Sequence, residues 1–137
     1  MALTAQINES KFGVGDTVRV YQRIVETEGK ERTQIFEGIV IGIKGHGKGK
    51  SFTVRRIGAQ KIGIEQIFPI NSPNIQKVEV AREGVRGVSR SKLYFIRDKN
   101  PREIEKIYSR ARVRIESEKT KPKKSQPKKI KTSKAKK

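Results

Sequence analysis

Residues 44–51 read KGHGKGKS and end in Gly49-Lys50-Ser51. A phosphate-cradling P-loop, G-x-x-x-x-G-K-(S/T), ends the same way, with its lysine on the phosphates and its hydroxyl on a magnesium ion. Where that motif has its first glycine, this chain has Lys44. The motif also needs a strand before the loop and a helix after it, because the helix N-terminus holds the phosphates. IVIGI before the loop suits a strand, but SFTVRR after it also favours a strand through Phe52, Thr53 and Val54. The context is a hairpin, and a nucleotide site is not expected. What remains is a glycine-rich tip carrying Lys44, Lys48 and Lys50, whose backbone can approach phosphates without side-chain collision.

Other catalytic chemistry is sparse. His46 is the sole histidine and lies between glycines, without the oriented partner that general-base work needs. There is no cysteine, so no disulfide framework or thiolate metal site is expected, in keeping with a reducing compartment. Glu26, Glu28 and Glu31 surround the turn-like TEGKE (27–31) and read as a charged hairpin tip. No catalytic residue, metal, cofactor or small-molecule substrate is expected.

A second basic constellation, REGVRGVSRSKLYFIRD (82–98), holds Arg82, Arg86, Arg90, Lys92 and Arg97. Arginine forks match phosphate oxygens bidentately, and the small residues between them let the chain track a groove. Arg55, Arg56 and Lys61 add charge beside the first loop. Strand alternation lets only one of Arg55 and Arg56 face outward easily, leaving the other at a rim or paired. Tyr94 and Phe95 would occupy opposite faces of a strand, so at least one is expected in the core rather than stacked on bases.

The whole chain agrees with a polyanionic partner. It carries 33 Lys+Arg against 14 Asp+Glu, a net charge of +19 over 137 residues. Anionic membranes are the weaker alternative, since no apolar run approaches the roughly 18 residues of a spanning helix. MALTAQINES lacks the basic start and apolar stretch of a signal peptide, so a cytoplasmic chain is expected. Residues 119–137 hold ten lysines and no acid. Such a segment cannot bury enough surface to offset its chain entropy and is expected to be disordered when free. Removing its lysines leaves +9 on residues 1–118, so the body is basic in its own right. A run of lysine suits sequence-independent neutralisation of phosphates.

The elements that must position these cations are mainly strands. Alternation and β-branched runs predict strands at 16–25, 34–45, 51–57, 62–70, 75–81 and 91–98. Gly38 and Gly42 inside the second run suggest bulges or close backbone approach. Asn100 as N-cap, Pro101 at the first helical position and Glu103 open an amphipathic helix. Ile104, Ile107, Tyr108, Ala111 and Ile115 share one of its faces. The expected plan is an N-terminal extension (1–11) with a short helix within 2–10, a small antiparallel barrel or sandwich (12–99), the helix (100–116) and the lysine-rich tail (117–137).

Several of these runs together resemble one family. IFEGIVI (35–41), FTVR (52–55), GIEQIFPINSP (63–73) and KLYFIRD (92–98) occur in the order and approximate spacing of the bacterial large-subunit ribosomal protein L19 family. The resemblance spans roughly residues 12–98. It implies an SH3-like β-barrel that binds large-subunit rRNA near the subunit interface and takes part in a bridge to small-subunit rRNA. It also implies neighbouring large-subunit proteins as partners, and no enzymatic role. The link REGVRGVSRS is about two residues longer than the family pattern, and Ser91 replaces a small apolar residue; the resemblance therefore carries Lys92 and Arg97 more directly than Arg86 and Arg90. Composition by itself admits a non-ribosomal RNA- or DNA-binding barrel, such as an accessory translation or transcription factor. The motif order favours the ribosomal reading.

Overall fold

The computed structural model describes residues 3–26 and 29–120. Its strands form a two-stranded sheet and a five-stranded sheet, followed by one α-helix.

The smaller sheet pairs β1 (Thr4–Ile7) with β2 (Ser10–Gly13). The expected short helix within 2–10 is therefore corrected to a hairpin. Its turn is made by Asn8, at φ 51, a left-handed conformation that asparagine tolerates. Ala5 and Ile7 alternate inward, with Phe12 opposite Ala5, and all of them are buried. A helix would have scattered those side chains around its circumference.

The larger sheet contains β3 (Thr17–Val25), β4 (Glu31–Lys44), β5 (Ser51–Ile57), β6 (Gly63–Pro69) and β7 (Ile75–Arg82). The order is β6-β5-β4-β3-β7, with every neighbouring pair antiparallel. β6 and β7 remain edges, so these ladders do not close into a barrel. The inner face is nonetheless wrapped around one core. Phe12 meets Phe52 edge-on at 4.9 Å, Phe52 stacks on Phe68 at 5.4 Å, and Phe68 meets Phe36 edge-on at 5.8 Å. Val18, Val20, Val40, Val54, Val78 and Leu93 fill the space around them and are fully buried.

β4 explains the two glycines noted in the sequence. The register to β5 shifts between Val40 and Gly42, which makes Ile41 an extra residue. Val40 and Ile41 are consequently both buried, and the Ile41 carbonyl accepts a hydrogen bond from Leu93 N–H at 2.7 Å. At Gly38 a Cβ atom would stand 2.5 Å from the Arg55 carbonyl oxygen, so the neighbouring strand itself excludes a side chain.

The expected strand at 91–98 is not formed. Tyr94–Arg97 is a 3₁₀ turn instead. The buried residues here are Leu93 and Ile96, three positions apart, a spacing that a tight turn places on one side and an alternating strand does not. Tyr94 and Phe95 are both half-buried against the core rather than divided between faces.

The helix α1 (Pro101–Thr120) starts where expected, the Asn100 carbonyl accepting from the Glu103 and Ile104 N–H groups. It runs past the expected end, so residues 117–120, assigned to the tail in the sequence, are helical. The rest of the expected disordered tail lies outside the described residues. Ile104 and Tyr108 pack on the core, and Ile107 lies against Gly87 of the link after β7. Among the described residues no helix is long and apolar enough to cross a membrane.

Candidate nucleic-acid interface

The KGHGKGKS tip joins β4 to β5 as a hairpin loop with a 3₁₀ turn at Gly47–Gly49. Gly45, at φ 86, packs against the Gly49 carbonyl, so this glycine closes the loop. Around Gly47 and Gly49 there is open space, and these are the positions where backbone can meet a phosphate. The loop is tied at its base: Asn71 Nδ2 donates to the Lys48 carbonyl at 3.1 Å, and Ile70 N–H to the Lys50 carbonyl at 2.9 Å. Lys50 Nζ donates to the Thr4 carbonyl at 3.0 Å.

The fold brings this loop and the second basic link together. Lys44, His46, Lys50, Ser91 and Lys92 line one concavity. The bulge at Ile41 accounts for the meeting. Its carbonyl holds Leu93, which sets Lys92 beside Gly42, at the root of the loop. Three cations from two segments thus surround a hollow that Gly45 and Gly47 also line, an arrangement suited to a phosphate.

Other expected cations go elsewhere. Arg55 and Arg97 converge on Glu65: Arg55 Nη1 donates to Oε1 at 2.9 Å, and Arg97 Nε to the same oxygen at 2.7 Å. The bonds from Arg97, and then from Arg55, hold the Glu65 carboxyl below the usual carboxylate range despite its partial burial. Arg97 also lies 4.5 Å from the centre of the Tyr94 ring. Arg55 is the paired member of its dipeptide and Arg56 the outer one, its guanidinium 4.8 Å from the centre of the Phe36 ring.

Arg55, Arg56 and Arg82 line a second groove, between α1 and the β4–β5 part of the sheet, where Arg112 joins them. Arg86 lines a third concavity with Arg110 and Arg114. Lys48, Lys61 and Arg90 stand exposed and line none of these hollows. Lys61 sits at φ 60 in the turn between β5 and β6.

The acidic residues of the first hairpin behave as a charged tip. Glu31 pairs with Arg23 and Glu26 with Arg32, both at 3.4 Å, while Glu28 lies outside the described residues. On β3 and β7, Tyr21 donates to Glu79 at 2.8 Å, and Lys77 reaches the same carboxylate at 2.7 Å. Lys77, and after it Tyr21, lowers the Glu79 pKa; the bond to Glu79 raises that of Tyr21.

Arg110, Arg112 and Arg114 of α1, which line the second and third hollows, were not singled out in the sequence. Their part in the grooves comes from where α1 docks, and periodicity does not encode that.

A small, mainly β body with basic hollows built from loops and a helix is a scaffold suited to polyanions. The comparisons make it specific: the sequence profile described as Ribosomal protein L19 matches residues 2–110, and the chain belongs to that family. It is 58% identical over 88 residues to the large ribosomal subunit protein bL19 of Thermosipho melanesiensis, covering 64% of this chain and 74% of that one. The bL19 of Kosmotoga olearia is also 58% identical over 88 residues, with the same coverage. That of Pseudothermotoga lettingae is 56% identical over 87 residues, covering 64% of this chain and 72% of its own.

Proposed function

We propose that this chain is a structural constituent of the large ribosomal subunit in the cytoplasm, where it binds large-subunit rRNA and catalyses nothing. The curled five-stranded sheet and the β1–β2 hairpin serve together as an SH3-like barrel, left open in its hydrogen bonding. The barrel holds basic loops where rRNA helices crowd near the subunit interface. From there the chain contributes to a bridge with small-subunit rRNA and touches neighbouring large-subunit proteins.

The observation that carries this reading is the convergence of Lys44, Lys50 and Lys92 on one concavity, in a member of the L19 family. Arg56 and Arg82 in the second groove, Arg86 in the third concavity and the exposed Arg90 add positive charge elsewhere on the body, with Lys48 and Lys61 at exposed turns. Arg55 and Arg97 contribute through Glu65, whose carboxylate fixes their guanidinium groups and leaves further N–H donors for phosphate.

The test replaces Lys44, Lys50 and Lys92 together by glutamine and follows binding to purified large-subunit rRNA against salt. Each lost phosphate contact lowers the slope of log affinity against log salt by about 0.7–0.9, so the triple variant should lose roughly 2–3 in slope. An unchanged slope would remove the concavity from the interface. Failure of the unaltered chain to stay with large subunits through a moderate-salt wash would remove the ribosomal reading.

A further inference from the structure

The groove between α1 and the sheet differs from the lysine concavity. It has a volume of about 600 Å³, of the size that takes a small molecule or one nucleotide. Its walls are largely apolar, with Ile39 and Ile57 on the sheet and Ile104 and Tyr108 on the helix. Arg56, Arg82 and Arg112 also line it. Two side chains of this lining carry a buried polar atom with no protein hydrogen-bond partner, Arg55 Nε and Tyr108 Oη, and a buried polar atom left so is costly. Burial accordingly pushes the Tyr108 phenol pKa up.

From this combination we propose that the groove accepts one unpaired nucleotide of the bound RNA. Its base lies between the sheet isoleucines and Tyr108, and its phosphate lies towards Arg56, Arg82 and Arg112. The inference rests on the rRNA-binding reading above and adds a subsite to it. A base suits the groove because its faces are apolar while its edge offers both donors and acceptors. Arg55 Nε and Tyr108 Oη are covered in the free chain, so inserting the base beneath α1 must uncover them to its acceptors, while exocyclic amino groups answer Glu105, which also lines the groove. An acidic protein segment fits less well, since carboxylate side chains bring neither a flat apolar face for the isoleucines and Tyr108 nor an amino group for Glu105. A base within an A-form stem cannot enter a groove beneath a helix, so the nucleotide must be bulged or single-stranded.

The test uses the full chain, isotope-labelled for NMR, with a short RNA hairpin carrying a single bulged adenosine and the same hairpin without it. The bulged hairpin should bind about 5-fold or more tightly and perturb the amides of Ile57 and Ile104, which the plain hairpin leaves in place. Tyr108→Phe, which keeps the ring and removes only the hydroxyl, should erase most of that preference and leave binding of the plain hairpin unchanged. Ile57→Ser, at a site 56% exposed and therefore safe for folding, should do the same. Equal binding of the two hairpins would overturn the subsite while sparing the rRNA reading; binding of neither would overturn both. Displacement of the bulged hairpin by an oligoglutamate peptide, with the same groove amides shifted, would reassign the groove to a protein partner.

Discussion

At the scale of single residues, two carboxylates do most of the joining. Asp16 accepts from Gly13 N–H at 2.7 Å through one oxygen and from Gly84 N–H at 2.8 Å through the other. Its own carbonyl accepts from Val40 N–H at 2.9 Å. One side chain therefore ties the end of β2 to the link after β7. Asp16→Ala leaves two half-buried N–H groups without their acceptor, and the expected loss is about 1–3 kcal/mol in urea unfolding. A loss well below 1 kcal/mol would mean that water replaces the carboxylate freely. Glu65 is the second joint, bound by Arg97 and Arg55. Its pKa in the folded chain lies below its unfolded value, so its contribution is present in full above the ordinary glutamate pKa. That contribution is lost as pH falls through the lowered value. Glu65→Gln should cost about 1 kcal/mol at neutral pH and nothing in strong acid, so the two unfolding curves converge on acidification. Parallel curves would show that the carboxylate's charge is irrelevant to the fold.

At the scale of elements, the helix is held by few contacts. Only its first half is docked: Ile104, Ile107, Tyr108 and Ala111 are partly covered, whereas Val113 is 67% and Ile115 40% exposed. Ile104→Ala should therefore cost about 1–2 kcal/mol, less than a fully buried truncation, and should raise amide exchange along α1 more than in β3 or β4. Uniform exchange across helix and sheet would instead make α1 part of one cooperative unit. Five strands and the start of this helix were legible because periods of two and of 3.6 are written in which residues are apolar. Ile115 was assigned to the buried face by that period and is exposed, because periodicity says which residues share a face and not how far the face extends over its partner. The miss at 91–98 has a related cause. KLYFIRD is as apolar as a strand, and the only mark of a turn was that Leu93 and Ile96 needed to be buried together. At 4–7 the hairpin hinged on a left-handed Asn8, which a sequence hardly distinguishes from an asparagine in a helix. The lysines of the tip were readable as a cationic, glycine-spaced loop. Their meeting with Lys92 depended on the bulge at Ile41, a long-range event with no local signature.

At the scale of the whole molecule, charge and fold divide the work between body and tail. The body retains +9 once the ten lysines of residues 119–137 are set aside, and much of that charge surrounds defined hollows. Fields from fixed clusters act over about 8 Å at physiological ionic strength, so on the proposed reading the folded surface would select where phosphates sit. A lysine run supplies hydrated point charges and so adds attraction more than geometry. A chain ending at Glu118 should therefore bind large-subunit rRNA with lower affinity and a shallower salt slope, while keeping the loss caused by replacing Lys44, Lys50 and Lys92. Its unfolding midpoint should not move by more than about 0.5 kcal/mol equivalent, since the removed segment holds a single large apolar residue, Ile130. If the shortened chain lost all salt-dependent binding, the tail would be the interface and the hollows merely solvated. If it bound as tightly and as steeply as the full chain, the tail lysines would neutralise no phosphate, and the body's own charge would account for the whole electrostatic term.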